Sequence, residues 1–246
     1  MPYRRSLLPS FYKAGNELFE DLIGLGFRLT GDRYNRNPNI ENTLVAASIA
    51  ALIDKTPRIL PLLTDWISIH YERINAERLF IMVSSLDEKY EAVKVYWCSN
   101  AQRLNDKRTS FLKLRKLYGK TRRNITALLD GKPNSTDDGT DLLIQKNGED
   151  KRFIGTCLRV PHQYIRERHE DVLTPEKLAK VHLAYRFRVM IGASYRADMW
   201  AALRRYPYLT AAEVARHSYG DYSMARSVVH DYSIVKRNYS SRGDAA

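Results

Sequence analysis

The sequence predicts a mainly α-helical protein: an N-terminal helical bundle over residues 1–130, a loop and short β-hairpin insertion over 131–170, and a C-terminal helical region over 171–246. Three observations carry this reading. Apolar residues recur at helical spacing in segments roughly 15 to 20 residues apart, each opened by a capping residue, which is the spacing of a bundle. The stretch "DGKPNSTDDGTD", 130–141, gathers Gly, Pro, Asn, Ser and Asp in one place and marks a boundary. Beyond it, two β-prone runs flank Asn147-Gly148, a hairpin signal whose arms must lie against the helices because two strands alone do not make a stable sheet.

In chain order, Ser10 is read as the cap of a helix to about Ile23, with Phe11, Ala14, Leu18 and Leu22 on one face and the Gly24, Gly26 pair at its end. Asn39 caps Ile40 to Ile53. Thr56-Pro57 starts a helix with Leu63, Trp66, Ile67 and His70 on one stripe, His70 being read as a core-edge histidine. Asn75 opens a helix to Val83, and Asp87 one that carries Tyr90, Val93 and Trp97. Asn105 leads into a basic helix with Phe111, Leu112 and Leu117 inward. Past the hairpin, Thr174-Pro175-Glu176 begins a helix with Leu178, Val181 and Tyr185 as its stripe, and Gly192 stops it. Ser194 starts a helix through Arg205, with Ala197, Trp200, Ala201 and Leu203 toward the core, and Tyr206-Pro207 ends it.

Composition narrows the function. The 246 residues are 44% apolar, enough for a folded core without a disulfide or metal. The two cysteines, Cys98 and Cys157, sit in apolar surroundings far apart in sequence and read as buried free thiols in a reducing compartment, the cytoplasm by default. No signal-peptide run follows the basic start, and no window is apolar enough to span a membrane. Forty Lys and Arg against 28 Asp and Glu give a net charge of +12, which attracts polyanions, nucleic acid first among them. Nine cations lie between Arg103 and Arg123 with only Asp106 against them, and ten between Tyr185 and Arg242. The first group is read mainly as one solvated face of an amphipathic helix, with a polyanion surface as the alternative.

The stretch "LTAAEVARHSYGDYSMARSVVHDY", Leu209 to Tyr232, holds the clearest signals. Thr210 and Glu213 form a T-x-x-E capping box, so a helix starts at Ala211 with Ala211, Val214, Ala215 and Ser218 along one side. Gly220 permits a turn. A second helix runs from about Ser223 with Ala225, Val228, Val229 and Tyr232 inward. With the Ser194 helix, residues 194–235 resemble the trihelical helix-turn-helix of DNA-binding proteins. Five residues separate the small packing residue Ala215 from Gly220 where the pattern has four, which implies a turn one residue longer. The chain as a whole resembles a bacterial family to which no activity is assigned, a likeness that adds nothing to the sites.

That resemblance implies double-stranded DNA as the partner of a regulator, with the N-terminal bundle supplying dimerisation or a sensing surface as an accompanying expectation. Ser223, Ser227 and His230 would face base edges with Arg226 on the flank, while Arg204, Arg205, Arg216, Lys236 and Arg237 would neutralise phosphates. Asp231 beside that face, and Ile234 if exposed, count against it, and "KRNYSSRGDAA" reads as a frayed basic tail. An ordinary helical hairpin in a non-enzymatic scaffold is the alternative. A third reading, a metal-dependent nuclease, rests on Asp137, Asp138 and Asp141 with Lys146. It is the weakest because these acids fall in a Gly/Pro/Ser-rich loop. His162, His169, Glu170 and Asp171 lack ligand spacing. Arg33, Tyr34 and Arg36 read equally as a partner contact or a turn. No nucleotide, zincin or hydrolase motif occurs, so no catalytic residue, metal or cofactor is assigned.

Overall fold

The computed structural model describes residues 12–243 except 32, 105–106, 119–120 and 131–137, with side chains at all of these but 138 and 237–243. The expected cap Ser10, together with Phe11, Asn105, Lys120, Asp137 and part of the predicted boundary loop, lies outside the described residues, as do the side chains of Asp138, Arg237 and Arg242. Within them the protein is mainly helical, with thirteen helices and one two-stranded sheet.

Helix α2 (Ile40–Leu52) is the hub, packed against α1 (Gly15–Gly24), α3 (Ile59–His70), α4 (Ala76–Ser84) and α5 (Glu91–Arg103). Its run "LVAASIAAL" is apolar or small all round, as a helix enclosed on every side requires, and all its residues but Asn42 are buried. Asn39 caps it through Asn42 N–H, and Asn75 caps α4 through Arg78 N–H. Helix α1 begins only at Gly15, so Ala14 is exposed and not on the inner face. Gly24 ends α1 because the chain returns against it: a Cβ there would sit 1.7 Å from the Asn35 carbonyl oxygen.

Helix α6 is short, Thr109–Leu114, and buries Phe111 and Leu114. Leu112, expected inward, is 39% exposed because it lies on the opposite side of that turn. Much of the neighbouring positive charge is spent inside the molecule: Arg103 donates to Thr64 O and Ser68 Oγ, Arg108 to Tyr71 O and Ile74 O, and Arg122 and Arg123 reach Glu149 and Glu91.

The expected hairpin is replaced by a helix and a parallel pair. Strand β1 (Arg123–Asn124) pairs in parallel with β2 (Leu158–Arg159), Arg123 opposite Leu158, and α7 (Ile125–Leu129) follows β1 directly. Residues 138–147 form α8 (Asp138–Asn147). Gly148, at φ +79°, terminates α8 with its N–H on Ile144 O, so the Asn-Gly signal serves a helix C-terminus, and only a bridge between Glu149 and Pro161 joins the two intended arms.

The single helix expected from Thr174 to Gly192 is two, α9 (Pro175–Val181) and α10 (Leu183–Ile191). The break is His182, buried and extended, whose Nδ1 accepts from Tyr185 N–H while Nε2 bonds Pro38 O at 3.1 Å. The expected stripe is therefore interrupted and Val181 is exposed. His70 is wholly inside: Nδ1 accepts from Tyr185 Oη at 2.7 Å, Nε2 donates to Leu173 O, and the ring lies 4.6 Å from Trp66. Burial pushes both histidines down to about 4, keeping them neutral.

One core spans α1 to α7, β2, α9 and Tyr185 of α10. A second, separate core belongs to α11 (Tyr195–Arg205), α12 (Ala211–Ser218) and α13 (Tyr222–Gly243), built from Tyr195, Met199, Leu203, Val214, Ala215, Ala225 and Val228.

Candidate nucleic-acid interface

The three C-terminal helices form as their local signals require. Ser194 caps α11, the Thr210 and Glu213 capping box is present in full, and Asp221 Oδ1 accepts from Ser223 and Met224 N–H at the head of α13. The turn between α12 and α13 is not lengthened. Tyr219, four residues after Ala215, takes the left-handed conformation at φ +53°. Its N–H bonds Arg216 O and that of Gly220 bonds Ala215 O, the paired bonds that close a helix C-terminus. Gly220 is needed for space: a Cβ there would lie 2.4 Å from Met199 Cε.

Residues of α13 divide as expected. Ala225 and Val228 are fully buried, and Val229 and Tyr232 pack half-buried against the same core. Ser223, Arg226, Ser227 and His230 are exposed along the opposite side, although the Ser223 hydroxyl donates to Asp221 and is committed to the cap. Asp231 is paired with Arg196 of α11 at 2.6 Å, so its charge is locally offset. The helix does not stop before Ile234 and does not fray at 236. It continues to Gly243 and leaves Ile234 47% exposed. Tyr232 meets Trp200 edge-on, and Trp200 stacks on Phe187.

The predicted phosphate contacts do not share one surface. Arg204, Arg205, Arg216 and Lys236 are exposed, and Lys236 Nζ lies over the Tyr208 ring. Arg205, however, is in register with Asp198 and Ala202 and lines a cleft on the far side of α11 from Arg196 and Trp200, which face α13. Among the alternative acids, Asp141 is taken by Arg159, and no group of three His, Cys, Asp or Glu is placed to hold a metal among the described residues.

Sequence reasoning missed what holds this unit to the body. Arg188 of α10 donates twice to Glu41 of α2, at 2.6 and 2.9 Å, and twice to Asp198 of α11, both at 2.8 Å. Arg78 of α4 bonds the same two carboxylates at 2.9 and 2.7 Å and donates to Ser218 O, an otherwise free carbonyl at the end of α12. All four side chains are buried, and two cations balance two anions. Burial opposes ionisation of Glu41 and Asp198, but Arg188 and Arg78 more than offset it and hold both carboxyls below their ordinary values. Burial likewise opposes the charge on Arg78 and Arg188, and Asp198 and Glu41 reverse that effect. Arg78 lies 4.7 Å from the Tyr195 ring centroid and 6.0 Å from that of Tyr219, whose hydroxyl accepts from Asn42 at 3.3 Å. The turn is thus pinned to the body at Ser218 and Tyr219. A Glu on an otherwise uncharged helix was the one signal available.

Comparison with family models, curated proteins and solved structures finds no match to this chain.

Proposed function

We propose that the chain is a DNA-binding protein, regulatory in role, that sets α13 in the major groove of double-stranded DNA. The observation that carries this reading is the outward face of α13: Arg226, Ser227 and His230 stand exposed on a helix backed by its own core, beside an acid that Arg196 offsets. Guanidinium, hydroxyl and imidazole groups suit base edges, and the Arg pairing with guanine is the strongest of these. Arg204, Arg216 and Lys236 would add phosphate contacts that raise affinity without selecting sequence. The exposed Ile234 further along α13 counts against this reading unless it packs on a partner.

The test is selection of bound fragments from random duplex DNA at near-physiological salt. A motif should emerge, and Arg226→Ala should weaken binding to it by roughly 5- to 150-fold, the worth of one good base contact. Lys236→Ala should weaken all sequences alike and reduce the salt slope by about one. A uniform, salt-quenched smear would refute groove reading and leave a basic scaffold.

A further inference from the structure

Behind the helix-turn-helix-like unit, the loop joining α1 to α2 brings Asn35, Asn37 and Asn39 to a cleft between the body and α11. Two adjoining cavities of about 330 and 230 Å³ share these three asparagines and Tyr219 in their walls. Each asparagine is oriented by a bond already made. Asn35 donates to Asp21 at 2.9 Å and accepts from Asn37 N–H; Asn37 accepts from Ala184 N–H at 2.8 Å; and Asn39 accepts from Asn42 N–H at 3.1 Å. This leaves the Asn37 and Asn39 amide nitrogens as donors at fixed positions.

The smaller cavity also meets Asn42 and Thr43, and both carry a buried polar atom without a partner, Asn42 Oδ1 and Thr43 Oγ1. Thr43 is only 2% exposed, and buried hydroxyls without a partner are rare in folded proteins. The charges in the walls are unequal. Lys13 pairs with Asp21 at 3.0 Å, and Arg188 with Asp198, but Arg205 at the mouth of the larger cavity has no carboxylate partner among the described residues. His217 stands beside it, stacked on Tyr206.

We propose that this cleft binds a small organic phosphomonoester. Its hydroxyl-rich body would bond Thr43, Asn42, Asn37 and Asn39, and its phosphate would face Arg205 and His217. A neutral hydrogen-bonding end and a cationic end are what such a molecule needs, and the combined space suits a phosphorylated sugar or nucleoside. The site is independent of the DNA-binding proposal, because binding is read on the protein alone and survives a failed DNA selection.

The experiment is calorimetric titration of the full chain with glucose 6-phosphate, ribose 5-phosphate and adenosine 5′-monophosphate. Inorganic phosphate and the parent glucose and adenosine serve as controls. At least one phosphomonoester should bind at millimolar Kd or tighter and at least tenfold more tightly than either of its halves. Thr43→Val, which keeps shape and removes the hydroxyl, and the surface change Arg205→Gln should each weaken it tenfold or more. The proposal is overturned if none of the three binds, if inorganic phosphate alone binds as well, or if Arg205→Gln leaves the affinity unchanged.

Discussion

Asp198→Asn puts the buried charge network to its sharpest test, because it keeps the side chain's shape and removes one of the two anions that Arg78 and Arg188 share. Three bonds of 2.7 to 2.8 Å end on that carboxylate, two from Arg188 and one from Arg78. After the change, two buried guanidiniums face one carboxylate, and removing one partner from such a group costs about 3–5 kcal/mol. For a chain of this length each kcal/mol moves Tm by roughly 2–4 °C, so the variant should melt about 6–20 °C lower. Urea unfolding gives the free energy directly, and hydrogen exchange should show the loss concentrated in α11 and α12, which the network joins to α2 and α4. Because the groups are buried, the loss should barely change between about 0.05 and 0.5 M salt. Adding Arg188→Met removes the surplus cation and should recover part of the loss. A penalty below about 1 kcal/mol, or one that is strictly additive with Arg188→Met, would refute the assignment of this network as the joint between the two cores.

Acid should destabilise the protein in two stages. His70 and His182 have folded pKa values near 4 against 6.5 when unfolded, so their contribution is complete above 6.5 and is lost as pH falls toward 4, about 2 kcal/mol each by pH 5. Glu41 and Asp198, held below their ordinary 4.5 and 3.8, contribute stability above those values and lose it at lower pH still. A Tm that is flat from pH 7 to 5 would contradict the histidine assignment. Thr210→Ala removes the capping box at the exposed start of α12 and should cost about 1 kcal/mol, read as a Tm lower by roughly 2–4 °C. Gly220→Ala places a methyl against Met199, which is fully buried, and should cost about 1–3 kcal/mol by urea unfolding; no loss would mean that Met199 moves aside freely.

Much of the local structure was legible in the sequence because short-range chemistry decides it. Asn39, Asn75, Ser194 and the Thr210/Glu213 box start helices where they should, since a side-chain oxygen satisfies a free N–H two or three residues on whatever the rest of the chain does. The inward stripe of α13 was equally readable from its spacing. Signals with two local uses misled. Asn147-Gly148 supplies a positive φ that ends a helix as readily as it turns a hairpin, and Gly220 drew attention from Tyr219, the residue that takes the left-handed turn. A tyrosine there costs backbone strain, and its hydroxyl bond to Asn42, 177 positions away, is part of what offsets it.

The sequence by itself determined the helical class, the helix starts at Asn39, Asn75, Thr174, Ser194 and Thr210, the two faces of α13 and the excess of positive charge. Tertiary structure alone decided which charges remain for a partner. Arg78 and Arg188 are consumed by Glu41 and Asp198, and Arg103, Arg108, Arg122 and Arg123 by carbonyls and acids of neighbouring elements. It also placed the cleft on one side of α11, so that Arg205 lines it and Arg204, about 100° round the same helix, does not. A charge count cannot foresee such pairings, since each depends on a contact between residues that are distant in the chain and whose burial only the assembled fold creates.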